Sequence, residues 1–108
     1  MLTIYSVVVQ VVTQLGPVVK EIERRDRDLA RQMRRAMTSV PLNLSEGTYA
    51  RGGNKIARYD TALGSARETR ACVEVAVALG YLRPLDAALM DRLDEIAATL
   101  YRLVHRRG

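Results

Sequence analysis

Histidine and cysteine are nearly absent from this 108-residue sequence, each occurring once, as His105 and Cys72. A lone cysteine excludes an intramolecular disulfide, and a lone histidine excludes a site built from two or three imidazoles, which removes most familiar metalloenzyme designs. Tryptophan and phenylalanine are missing, so the aromatic complement is five tyrosines: Tyr5, Tyr49, Tyr59, Tyr81 and Tyr101. That is a thin supply for a base-stacking platform, and any nucleic acid would be held mainly by its phosphates. Gly47, Gly52 and Gly53 lack both the GK[ST] ending and the preceding strand of a phosphate-binding loop. Charge is lacking from the first 19 residues. A signal peptide would still need a basic start and a small-residue cleavage site, and a membrane span about 20 mostly apolar residues. Neither is present, and the expectation is a protein of the reducing cytoplasm with Cys72 as a free thiol and no membrane partner.

What is present is ordinary globular material, 48% hydrophobic and 27% charged, in a length that suits one domain over residues 1–108. The charge is segregated. Arg24, Arg25, Arg27, Arg31, Arg34, Arg35, Arg51, Lys55 and Arg58 face only Asp26, Asp28 and Glu46 between residues 24 and 58, a local net of +6 in a chain of formal charge +5. Such a surface suggests an acidic partner, against the simpler reading of a solvated face whose arginines pair with nearby carboxylates.

Four helices are expected. In the first, Thr3, Ser6, Gln10, Thr13 and Gln14 oppose a stripe of Ile4, Val7, Val8, Val11, Leu15, Val18, Val19 and Ile22. Val7-Val8-Val9 breaks the alternation that a strand would require, and Gly16-Pro17 should kink the helix. The second starts at Asp26 or Asp28 and runs towards Gly47 or Tyr49, with Leu29, Met33, Ala36, Met37, Val40 and Leu44 on its core face and a bend expected at Pro41. The third, about Asn54 to Leu79, places Tyr59, Ala62, Leu63, Ala66, Val73, Val77 and Gly80 on one stripe. Its opposite face gathers Thr61, Gly64, Ser65, Ala71, Cys72, Val75 and Leu79 around the single charge of Glu68. A helix apolar or small on nearly every side asks for cover on both faces, and another subunit is the natural source. The fourth follows Arg83-Pro84, with Pro84 near its first position, Asp86 in its first turn and Leu85, Leu89, Leu93, Ile96, Leu100 and Leu103 as its seam; Arg102, Arg106 and Arg107 complement the dipole at its end. Four helices with short links give an all-α, antiparallel up-down four-helix bundle.

The run from Gln32 through Arg34-Arg35-Ala36-Met37-Thr38-Ser39-Val40-Pro41-Leu42-Asn43-Leu44-Ser45-Glu46 to Gly47, followed by Ala62-Leu63-Gly64-Ser65-Ala66-Arg67-Glu68 and Leu79-Gly80-Tyr81-Leu82, resembles the four-helix-bundle proteins encoded in intervening sequences of large-subunit ribosomal RNA genes. Relatives of that family serve as accessory proteins of diversity-generating retroelements. The resemblance covers about residues 5 to 105 and implies a homo-oligomer, with a pentameric ring as the associated form, and a reverse transcriptase as a candidate partner.

Arg35, Ser39, Asn43 and Glu46 recur on one stripe of the second helix, while Gly64, Ser65 and Glu68 share the unusual face of the third. If the stripes meet, Arg35 offers a forked donor to Glu68 or Glu46, and the amide and hydroxyls satisfy what remains. This network is read as structural or interfacial, because no nucleophile, second base or oxyanion donor stands beside the two carboxylates. No catalytic residue, metal or cofactor is assigned. His105 is preceded three residues earlier by Arg102 rather than Glu, unlike a di-metal bundle, and no arginine stands four to six residues before it, unlike the helical ribonuclease domains. Two function classes remain: a non-catalytic protein holding RNA or DNA backbone through Arg27, Arg31, Arg34 and Arg51, and a structural or protein-interaction module. Charge segregation and the resemblance favour the first.

Overall fold

In the computed structural model, which describes residues 3–106, apolar spacing and capping chemistry resolve into four helices. They are α1 (Thr3–Glu23), α2 (Arg27–Tyr49), α3 (Gly53–Ala78) and α4 (Ala87–Val104), and no strand occurs among the described residues. Arg107, expected at the end of the fourth helix, lies outside them.

Each helix buries a stripe at intervals of three and four residues. Val8, Val11, Leu15, Val19 and Ile22 do so on α1, and Ala30, Met33, Met37, Val40 and Leu44 on α2. Leu29, expected in the core, is only half-buried, and Ala30 takes the interior place. Neither proline interrupts its helix. Pro17 is exposed, so the carbonyl deprived of its donor can turn to water, which makes a break unnecessary.

The starts and stops follow side-chain chemistry. Asp26 caps α2, its Oδ1 accepting from the Leu29 N–H at 2.9 Å. Asp86 caps α4, accepting from the Ala88 N–H at 3.3 Å. This corrects the expected start: Asp86 stands outside the first turn and Pro84 outside the helix, because a carboxylate cap fixes the boundary more firmly than a proline does. At the end of α3, Gly80 adopts φ +78°. Its N–H donates to Val77 O at 3.0 Å and that of Tyr81 to Ala76 O at 2.8 Å, the paired bonds of a Schellman ending.

Pairings between helices show the antiparallel course. Ser39 meets Ser65 and Glu46 meets Arg58, each pair equidistant from Gly52 in the α2–α3 turn. Arg70 meets Asp94 across α3 and α4, and Arg92 meets Gln14 across α4 and α1. The α2–α3 pair is the most extensive contact; α1 covers α2, α4 covers α3, and the α1–α4 seam is the thinnest. α3 packs against both α2 and α4, and its buried surface is broad: Thr69, Cys72 and Ala76 join Tyr59, Ala62, Leu63, Ala66 and Val73. Cys72, expected on the outer face, is therefore a core residue, 5% exposed. Burial, and secondarily the negative charge of Glu68, push its thiol pKa upward, which keeps it protonated and inert.

Two glycine substitutions test these contacts. A Cβ on Gly47 would lie 2.6 Å from Cε1 and 2.7 Å from Cδ1 of the buried Tyr59 ring. Gly47→Ala gains about 1 kcal/mol of helix propensity but overpacks the core, and denaturant melts should show a net loss of about 1–3 kcal/mol. Gly80→Ala should lower stability by about 1–2 kcal/mol in the same assay, through the positive φ alone, since nothing lies within 4 Å of its added carbon.

Candidate functional site

The polar stripes of α2 and α3 do meet, and small side chains join them. The Ser65 hydroxyl donates to Ser39 Oγ at 2.7 Å, and Asn43 Nδ2 donates to the same oxygen at 2.9 Å and to the Ser39 carbonyl at 3.0 Å. Asn43 Oδ1 accepts from Arg58 at 3.4 Å, and Arg58 pairs with Glu46 at 3.1 Å. The chain Ser65–Ser39–Asn43–Arg58–Glu46 thus bridges the two helices over about two turns of each. It floors an open groove of about 700 Å³ whose walls include Gln32, Arg35, Leu42 and Glu68.

Arg35 departs from expectation. It is exposed, as is Glu68, and no carboxylate lies within ion-pair distance of its guanidinium among the described residues. Glu46 was out of its reach: the two sit on one helix 11 residues apart, about 16 Å along the axis. Register assigns Glu46 to Arg58 instead. Arg58, counted in the sequence only as one more positive charge, is the member of this network that residue patterns missed. Folding the chain about Gly52 would have found it, since positions 46 and 58 are mirror partners. Gly64 is exposed on the outer side of α3, with Thr61, Ala71, Val75 and Leu79 along the same helix. Open space surrounds its missing side chain.

The basic residues divide between the two ends of α2. Arg27, Arg31, Arg34 and Arg35 line a shallow concavity of about 400 Å³ together with Glu23. Arg34 pairs with Glu23 at 2.9 Å, and this bond holds the Glu23 carboxyl below the usual carboxylate range while raising the Arg34 guanidinium. Arg31 pairs with Asp28 at 3.4 Å on an open surface. Exposed pairs of this kind are worth about 0–1 kcal/mol and yield readily to a stronger anion. Arg27 has no carboxylate within 4.0 Å among the described residues. Arg51 is not part of this cluster. It follows the far end of α2, about 20–35 Å from the cluster's arginines along the helix axis.

Among the described residues no three His, Cys, Asp or Glu side chains stand close enough to hold a metal ion, and no helix is long and apolar enough to cross a membrane. His105 is exposed just beyond α4, its ring 4.2 Å from that of Tyr101. The chemistry on offer is anion binding by arginine and hydrogen bonding along the α2–α3 groove.

The architecture has a close structural counterpart. The crystal structure of a protein of unknown function from the S23 ribosomal protein family of Bacteroides thetaiotaomicron matches with a TM-score of 0.84, covering 95% of this chain and 99% of that one. At 19% identity the likeness shows the shared fold. No curated protein matches the chain. A family model described as 23S rRNA-intervening sequence protein matches residues 1–102, so that nearly every residue placed in the bundle falls within it. The chain belongs to the 23S rRNA-intervening sequence protein family.

Proposed function

We propose that this chain is a non-catalytic, homo-oligomeric bundle that holds RNA or DNA through the phosphate backbone or serves as an accessory to a reverse transcriptase. The observation that carries the reading is the concentration of positive charge between residues 24 and 58, with Arg27 unpaired beside Arg31 and Arg34. A phosphate entering the concavity there meets one free guanidinium and two held only by exposed, exchangeable pairs. Repeating that surface around an oligomer multiplies a modest charge into a large field. Membership of a family named for ribosomal RNA intervening sequences, and the resemblance to retroelement accessory proteins, agree with an RNA-associated role.

Assembly is supported by α3. An exposed glycine in mid-helix costs about 1 kcal/mol relative to alanine, and Gly64 has no intrachain neighbour to require it. A second subunit approaching closely at Gly64, Ser65 and Glu68 supplies the reason. The ion pairs Arg31–Asp28 and Arg34–Glu23 favour a second reading, a protein-interaction module whose arginines serve only the fold.

Two measurements separate these readings. Light scattering at micromolar concentration should give a pentamer, and Gly64→Arg should release folded subunits with their helical signal intact; a monomeric parent would refute assembly. Filter binding should show affinity for structured RNA and duplex DNA falling steeply with salt, log K dropping by about 0.9 for each phosphate neutralised on a duplex. Replacing Arg27, Arg31 and Arg34 together by Gln should weaken binding equally across sequences, reduce the slope by about three and leave oligomer size unchanged. If the parent retains neither nucleic acid at low salt, the interaction-module reading replaces this one.

A further inference from the structure

Tyr49 is the most exposed of the large hydrophobic side chains, at 76%, and it stands apart from the other tyrosines. Tyr59 is buried, with the Lys55 ammonium 6.0 Å over its ring; Tyr81 lies under Arg25 at 5.7 Å. Tyr101 rests against His105, and Tyr5 packs on the core. Each of those rings is engaged within the chain. The face of Tyr49 is not, and its hydroxyl makes no hydrogen bond among the described residues. Beside it a concavity of about 530 Å³ is lined by Ser45, Asn54 and Arg58, with Glu46 on its wall already neutralised by Arg58 at 3.1 Å. Arg51, two positions along the chain, has no carboxylate within 4.0 Å. A free aromatic face and an exposed amide therefore line one concavity at the α2–α3 corner, with the unpaired Arg51 two residues beyond Tyr49 in the chain and the Arg27–Arg35 cluster about 20–35 Å away along α2.

We infer that this corner binds an unpaired nucleotide of a single-stranded nucleic acid, the base stacking on Tyr49 and the adjoining phosphates meeting Arg51. The chemistry selects a single strand over a duplex. A base already stacked between neighbours has no face to give to Tyr49, whereas an unstacked one exchanges water for an aromatic surface. Arg51 contributes to either form, because its phosphate contact is blind to base pairing. The corner is thus a second contact with a different preference from the Arg27 cluster, which takes any phosphate backbone. The inference rests on the nucleic-acid reading above and narrows it.

Fluorescence anisotropy with labelled oligouridine, oligothymidine and a DNA duplex tests it on the full chain. Tyr49→Ala should weaken binding of a single strand by about 5- to 150-fold and leave duplex binding within about twofold, while Tyr49→Phe should bind like the parent. Equal losses on strand and duplex, no loss on either strand, or a Phe variant as weak as the Ala variant would overturn the stacking contact. In those cases the parent still binds, and the phosphate reading stands. A parent that binds none of the three probes removes both. The side chain is exposed, so the melting curve of each variant should match the parent's and exclude unfolding as the cause.

Discussion

The Tyr59 ring lies directly on the backbone of α2 at Gly47, and this close approach governs much else in the molecule. It brings the two longest helices near enough for side chains as short as serine to meet across them, as Ser39 and Ser65 do at 2.7 Å. Longer residues at that level would hold the helices apart and leave the hydroxyls to water. The register that follows also decides which charges pair: Arg58 reaches Glu46 because both stand six residues from Gly52. α1 and α4 then cover the flanks of a hairpin whose spacing is already fixed.

Hydrophobic spacing made the four helices and most of the core legible, since a stripe at three and four residues has one stable outcome in water. The helix ends were legible where a carboxylate could cap them, as at Asp26. Where sequence reading failed, the missing quantity was relative placement. A helical projection gives the angle of Cys72 about its own axis but not where α2 and α4 lie around that axis, and their placement decides which arc of α3 is buried. The partner of Arg35 depended on register, which a projection of each helix alone does not contain. Charge counting placed Arg51 with Arg27, Arg31 and Arg34 because it ignores that α2 is rigid and about 30 Å long.

That separation shapes the functional reading more than net charge does. One end of α2 presents guanidinium groups with exchangeable carboxylate partners. The opposite end sets a single cation beside an unoccupied aromatic face. Between them runs a groove floored by hydrogen-bonded serine, asparagine and arginine, with Arg35 and Glu68 unengaged on its walls. Among the described residues no three His, Cys, Asp or Glu side chains gather closely enough to hold a metal ion beside these features.

The links between helices differ in what they will tolerate. The α2–α3 turn spans Ala50 to Gly52, and every pairing across the hairpin is reckoned from it. One added residue there would slide the two helices past each other, part Ser39 from Ser65, and drive the Tyr59 ring against a neighbour other than Gly47. The α3–α4 link, from Leu79 to Asp86, is longer and lies outside both helices, with Gly80 closing one side and Asp86 opening the other. Tyr81, Leu82 and Leu85 pack on the core from this link, and Arg83 and Pro84 between them are exposed, so extra length at those two positions can bulge into solvent while the helix pairings stay as they are. Of these two links, geometry leaves room for length variation at the α3–α4 corner, where a loop can grow and acquire a new contact while the bundle beneath it keeps its register.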